Sequence, residues 1–410
     1  MMPQSGTGLR KTNSLRDIVE LPAWERIQRS IQQQREWVER VHIELTEIPA
    51  PTFCESARAE YMADRFRELG IERVRMDSAG NLLGERPGMD GNFIGMTAHL
   101  DTVAPRGASV TVKRNDGRLF APGISDNGAG LAALLGAAAA LQESKISTGF
   151  SLLFVSTVGE EGEGDLCGMR NLFAQKDICR RMKGVFVIDG SSIQQTAIAG
   201  LGSRRFLIEI TGPGGHSWSD FGRVNPIHAL SDAIAQLKRI PLPTDPRTSL
   251  NIGLIHGGTT INAIPSSAWM KVDIRSTGPE EIPRLSAAVE TVVRTAVEAE
   301  NRCGSGQLES KILPIGDRPA AELSPSARIL QVIREVDLHL GIKGRYEAAS
   351  TDANIPLALG IEAITTGGGG LGGDAHTPNE WYDPQGRDLG LKRILLAVLM
   401  LTGVIEETES

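Results

Sequence analysis

The four cysteines of this 410-residue chain, Cys54, Cys167, Cys179 and Cys303, lie far apart, and none falls in a C-x-x-C pair. That spacing argues against both a disulfide framework and a zinc finger, and it makes a reducing cytoplasm the expected compartment. Long apolar runs are missing as well. The longest candidate, 130–141, is too short and too rich in alanine to span a membrane, and Met1 to Arg16 holds no apolar core of a signal peptide. Positive charge is in deficit: 43 Lys and Arg against 50 Asp and Glu leave a formal net charge of −7. Nucleic acid and anionic membranes are therefore not expected as partners. Internal repeats and low-complexity segments are absent too. The glycine run Gly367 to Gly373 lacks the Lys-Ser/Thr of a phosphate-binding loop. Gly123-Ile-Ser125 fails the G-x-S-x-G serine-hydrolase pattern at Asn127, and no S-x-x-K occurs.

What is present is a globular composition, 40% hydrophobic and 23% charged, in a chain long enough for two or three domains. The stretch 150–164 is its most informative part. Leu152, Leu153, Phe154, Val155 and Val158 read as a buried strand, followed at once by Glu160 and Glu161. Ligands of open α/β sheets gather outside the carboxyl ends of strands. A solvated acidic loop would look the same, so this stretch alone leaves both readings open. Other strand ends repeat the pattern. Residues 93–100 form an apolar strand running into His99, with Asp101 two residues on and on the same face of an extended chain, where it can orient the imidazole. Residues 184–188 lead into Asp189. Asp126 sits among glycines before an Ala- and Leu-rich helix, where its plain role is an N-cap and its neighbours allow close backbone approach.

Helices are expected within 13–48, over 55–69 and over 169–182, and strands over 74–84 and 93–100. Residues 1–12 read as loosely ordered. From about Gly202 the pattern changes to a β-α-β-β-α-β order, which describes a ferredoxin-like domain. After it, Ser324 reads as an N-cap with Pro325 at the first helical position of a helix to Leu340. The glycine run then leads to Asp374-Ala-His376, and a helix over 389–404 closes the chain.

Two imidazoles with several carboxylates and no thiolate suit a pair of divalent ions such as zinc, cobalt or manganese. One carboxylate bridging two ions about 3.5 Å apart leaves room for a water acidified into a nucleophile, and a further carboxylate can take its proton. At this point the chain resembles the dinuclear zinc peptidases and deacylases of the M20 family, which include peptidase T, carboxypeptidase G and acetylornithine deacetylase. The resemblance covers nearly all of 40–405. It is carried by His99-Leu-Asp101, Ser125-Asp126-Asn127-Gly128, Glu160-Glu161-Gly162, Asp189 and Asp374-Ala-His376, in family order and at family-like intervals. It implies His99 and Asp189 on one ion, Glu161 and His376 on the other, and Asp126 bridging them. Glu160 would be the general base and Asp101 the orienter of His99.

The implied fold is a mixed-sheet α/β zinc-peptidase catalytic domain, 1–202 plus 316–410, with an inserted ferredoxin-like α+β lid and dimerisation domain, 203–315. Within that lid, His216 looks like the family's transition-state-stabilising histidine, and Asn262 with Arg275 like its clamp for a substrate carboxylate. A homodimer through the lid and a short peptide substrate are the implied partners. Within the family, aspartate at the Asp189 position goes with aminopeptidases and dipeptidases, glutamate with deacylases and carboxypeptidases. An aminopeptidase cutting di- or tripeptides is therefore expected, with an N-acyl-amino-acid deacylase or carboxypeptidase as the alternative. A non-catalytic metal-binding relative would most easily have lost Glu160 or a ligand, and all are present. His42, His228, His256 and His339 fall outside these motifs and read as core or surface residues.

Overall fold

The computed structural model describes residues 8–103, 107 and 109–408. At its centre the strand Asp90–His99 is buried from Phe93 onward and lies between two parallel neighbours, Phe150–Thr157 and Met182–Ile188. A fourth parallel strand, Ala363–Thr366, pairs with Met182–Ile188. These runs are apolar without alternation, as expected of strands covered on both faces. Antiparallel strands extend the sheet on either side, Leu82–Arg86 and Glu72–Met76 beyond Phe150–Thr157, and Gln195–Gly200 beyond Ala363–Thr366. The α/β sheet is mixed, as expected. Because the four central strands run the same way, their carboxyl ends share one edge.

The helix Gly128–Ser144 is buried around nearly its whole circumference. Its Ala-rich composition suits that place, since an apolar helix without a polar face belongs inside. Gly130 shows how tightly it docks: a Cβ there would fall 2.5 Å from the Ile188 carbonyl oxygen. Two compact units divide the chain, Met1–Ala199 with Glu322–Ser410, and Gly200–Ala321. The second unit starts three residues earlier and ends six later than 203–315; its first strand begins at Gly202 and its last long strand runs on to Arg318. Its antiparallel sheet has the order Thr248–Gly257, Ser267–Ser276, Gly202–Thr211, Glu309–Arg318. Inward-facing Phe206, Ile208, Ile210, Met270, Val272 and Ile274 pack with Leu230 of the helix Pro226–Leu237 and Val289 of the helix Glu281–Cys303. That is the ferredoxin-like order read from the sequence.

Local expectations need correction in five places. Residues 74–84 form two strands, because Asp77 Oδ1 accepts the N–H groups of Ala79, Gly80 and Asn81 (2.9, 3.1 and 3.0 Å) and turns the chain. The helix over 169–182 is broken at Gln175 into Cys167–Ala174 and Lys176–Arg181, and Met182 opens a strand. The helix expected from Pro325 begins at Arg328. Ser324 Oγ accepts from Ser326 instead, and the Glu362 carboxylate takes the first-turn N–H groups of Arg328 and Ile329 at 3.0 and 2.9 Å. The last helix ends at Thr402, since Gly403 leads into the strand Val404–Thr408. That strand pairs antiparallel with Gly8–Thr12, so 8–12 are ordered, while 1–7 lie outside the described residues. Among the described residues no helix is long and apolar enough to cross a membrane.

One buried ion pair locks the sheet to its helices. Arg393 Nε and Nη2 bind Asp337 Oδ1 and Oδ2 at 2.5 and 2.8 Å, and the same guanidinium reaches Thr366 Oγ1 and Thr196 Oγ1. Removing one partner of a buried pair typically costs about 3–5 kcal/mol, whereas replacing both by apolar groups costs far less. Arg393→Met should therefore lower urea stability by about that amount, and Arg393→Met with Asp337→Leu should recover most of it. A single-mutant loss below about 1 kcal/mol would contradict the assignment.

Candidate active site

His99 is the last residue of the central strand, buried, with Nδ1 donating to the Asp101 carbonyl oxygen at 2.9 Å. That bond fixes the ring and turns Nε2 toward Asp126 Oδ1 (3.1 Å) and Asp189 Oδ1 (3.5 Å). The Asp101 carboxylate was expected to hold His99, but it lies 3.6 Å from Nδ1, farther than its own carbonyl. It accepts instead the N–H groups of Glu160 and Glu161, both at 2.9 Å. Asp101 thus orients His99 through its main chain and fixes the Glu160–Glu161 backbone through its side chain.

The loop before the buried helix delivers Asp126. Its expected capping role falls to Asn127, whose Oδ1 accepts from Gly130 N and Gly190 N (both 3.1 Å) while Nδ2 donates to the Ile188 carbonyl at 2.9 Å. Asn127 so staples the helix start to the strand end that carries Asp189, and Asp126 is left to face the imidazoles. Glu380 holds the same loop from the other side. Its carboxylate accepts the N–H groups of Gly123, Ser125 and Asp126 at 2.7, 2.7 and 2.8 Å. Buried His42 donates from Nε2 to the Ile124 carbonyl and accepts from Arg387 at Nδ1 (2.7 Å). Burial first, and then the Arg387 charge, lower its pKa to about 3, so this histidine is a neutral core residue.

His376 follows the strand Leu371–Gly373 in a left-handed backbone conformation (φ +64°). Its Nε2 lies 2.8 Å from Glu161 Oε1 and 3.1 Å from Asp126 Oδ2. The two oxygens of Asp126 therefore face one imidazole each. The ligating atoms of His99, Asp126 and Asp189 form one close cluster, those of Asp126, Glu161 and His376 a second, and Glu160 joins His99 and Glu161 in a third.

The field there is strongly acidic. Hydrogen bonds to Asp126 and Glu161 raise the His376 pKa to about 10. Burial alone would lower that of His99, but its contacts with Asp101, Asp126 and Asp189 outweigh burial and hold it well above the ordinary value. Burial would likewise raise the pKa of Asp126, yet the two imidazoles bring it well below the carboxylate range. One imidazole nitrogen and one carboxylate on either side of a shared carboxylate, with no thiolate, form a donor set that fits two divalent first-row ions.

The fold and this site can be set beside known proteins. The model of peptidase family M20/M25/M40 matches residues 95–406. The chain belongs to that family. Three solved structures show how far the M20 fold extends. A tripeptidase from Staphylococcus aureus has 24% identity and a TM-score of 0.75, covering 90% of this chain and 98% of its own. Aminopeptidase PepT from Bacillus cereus has 22% identity, a TM-score of 0.72 and the same coverage. The Bacillus subtilis YXEP protein, described as a dinuclear metal-binding M20 peptidase, has 18% identity and a TM-score of 0.65, covering 90% of this chain and 99% of its own.

The remaining expected residues lie in the unit Gly200–Ala321. A short ladder pairs His216 with Ala263, and Ser217 N donates to the Asn262 carbonyl at 3.0 Å, so His216 and Asn262 sit together. His216 Nδ1 accepts from Trp218 N and Ser219 N (3.2 and 3.3 Å), which leaves the proton of a neutral ring on Nε2. Arg275 is not with them. It pairs with Ser203 at one end of the sheet, bound to Asp273 at 2.7 Å, while His216 and Asn262 lie beyond the other end, where Ser267 pairs with Thr211. About 25 Å of extended strand separates those ends.

Sequence reasoning missed Glu380, Glu55 and Asp352. Glu55 is buried and accepts from Gly159 N at 3.1 Å. Burial raises the pKa of Asp352 to about 6; its Oδ2 accepts from Thr157 Oγ1 at 2.5 Å. All three occupy stretches where an acid reads as solvated. Only the glycines around Asp126 signalled a loop that something else must hold.

Proposed function

We propose that the chain is an aminopeptidase of the di- or tripeptidase kind, hydrolysing the amide bonds of short peptides with two divalent ions, zinc first among them. His99 and Asp189 would hold one ion, Glu161 and His376 the other, and Asp126 would bridge them. The observation that carries this reading is the Asp126 carboxylate, aimed at an imidazole with each oxygen while Glu160 stands beside both His99 and Glu161. When bound, such ions polarise the amide carbonyl and acidify a water. Glu160 would take the proton from that water and pass it to the leaving amine. Asp101 keeps Glu160 and Glu161 in place by binding both of their N–H groups. Aspartate at position 189 and the tripeptidase and aminopeptidase among the fold's neighbours favour a substrate with a free amino end. The four free cysteines support a reducing cytoplasm as the compartment.

Glu160→Gln should keep both ions, since Glu161 is the ligand of the pair, yet lower kcat by about 10² to 10⁴. Elemental analysis and a peptide assay on the same sample check this, and full activity in metal-replete protein would remove Glu160 from the mechanism. The same assay should show a tripeptide cleaved faster than its N-acetylated form. The reverse order would point to a deacylase.

Two copies are proposed to pair through the inserted unit. Its edge strand Thr248–Gly257 carries exposed Leu254 and Ile255, and Trp218, Phe221 and Ile261 stand exposed around His216 and Asn262. One sheet puts Arg275 and His216 at opposite ends, which suits a substrate held by one subunit's Arg275 and reached by the partner's hairpin. His216 Nε2 would then donate to the carbonyl oxygen as it becomes negative, a contact typically worth about 10² to 10³ in rate. Mixing Glu160→Ala and His216→Ala proteins under subunit exchange should return about a quarter of wild-type activity, because half the dimers gain one intact site. Demonstrated exchange without recovery would contradict donation across the dimer.

A further inference from the structure

Phe53 adopts a backbone conformation that a bulky residue seldom takes, with φ at +71°. It is the third residue of a four-residue turn closed by the Cys54 N–H on the Pro51 carbonyl at 2.7 Å. A positive φ at that position is normally supplied by glycine. Strain of this kind persists only where surrounding contacts enforce it.

Those contacts all lead to the catalytic carboxylates. Thr52 Oγ1 donates to Asp101 Oδ2 at 2.9 Å, the oxygen that also accepts from Glu161 N. Glu55 Oε1 accepts from Phe53 N at 3.0 Å and from Gly159 N at 3.1 Å, one residue before Glu160. Two N–H groups sharing one oxygen lie within about 6 Å of each other. Pro51 bridges Thr102, and Thr102 N donates to the Ala50 carbonyl at 2.9 Å. The turn is thus strapped on three sides to the segments that bear Asp101, Glu160 and Glu161.

This strain secures no burial for the side chain. Phe53 is 57% exposed, and Val103, next after bridged Thr102, is 48% exposed. Two large apolar side chains are therefore exposed on segments whose backbone is tied to that of the hydrolytic residues, one of them at a cost in backbone energy that glycine would avoid. A folding role accounts for neither. An apolar surface for a substrate side chain accounts for both, since such pockets join apolar walls to a few placed polar groups.

We propose that Phe53 and Val103 form an apolar shelf for the substrate side chain flanking the scissile amide, so that the enzyme selects short peptides with an apolar residue there. This rests on the amide-hydrolase reading above. Apolar contacts of this size discriminate by about tenfold or somewhat more.

The test uses metal-loaded full-length enzyme and tripeptides matched except for Leu or Ser at each position flanking the cleaved bond. Phe53→Gly should lower the Leu-to-Ser ratio of kcat/KM about tenfold at one of those positions. Ser peptides should change by less than about twofold, metal content should stay that of wild type, and Tm should be equal or higher because the strain is relieved. Val103→Ser should lower the ratio at the same position. Unchanged ratios in both variants, with an active wild type, would overturn the shelf and leave the hydrolase reading standing. A fall in Tm for Phe53→Gly would also overturn it, by making Phe53 a packing residue. Wild-type enzyme that cleaves none of the peptides or their N-acetylated forms would overturn the hydrolase reading itself, and the shelf with it.

Discussion

A single carboxylate, that of Asp126, is the constraint on which the rest of the site depends. Its oxygens lie 3.1 Å from His99 Nε2 and 3.1 Å from His376 Nε2, and no other described side chain belongs to both His-Asp clusters. The proposed bridging role requires that the aspartate cannot turn away. Glu380 binds the backbone of its loop through three N–H groups, and Asn127 binds the helix behind it to the strand end at Ile188. Both anchors are buried, where a charge-assisted hydrogen bond is stronger than in water and its loss is more costly. Precision at Asp126 is therefore a property of the fold, supplied by side chains that bind backbone groups.

The parallel sheet explains why the other donors converge. Strands in one direction end at one edge, so His99, Glu160 with Glu161, and Asp189 arrive together although far apart in sequence. Crowding these carboxylates opposes folding, and the contacts of His99 and His376 with them raise both imidazole pKa values. A divalent ion held as proposed would compete with protons for the same nitrogens, so acid would weaken its binding and alkali strengthen it. The stability held elsewhere in this unit, such as the Arg393–Asp337 pair and the buried helix Gly128–Ser144, supports that crowded edge.

Much of this could be read from the residue order. Apolar runs ending in His99, Glu160 and Asp189 carry a strong signal, because a strand long enough to be buried leaves its polar residues at its end. The βαββαβ order of the inserted unit was equally legible from alternation. Three features were not. Asp126 and Asn127 are adjacent and both good caps, so only geometry decides which one caps and which one faces the imidazoles. The Asp101 carboxylate serves Glu160 and Glu161, some sixty residues away, and spacing along one strand cannot reveal a partner on another. Glu380, Glu55 and Glu362 act on backbone N–H groups, which every residue has, so no pattern of side chains marks them.

The most direct measurement of the central claim is anomalous diffraction from crystals grown with zinc or manganese. Two peaks about 3.5 Å apart are predicted, one against His99 and Asp189 and one against Glu161 and His376, with an Asp126 oxygen on each. A single peak at full loading, or two peaks with Asp126 touching only one of them, would contradict it.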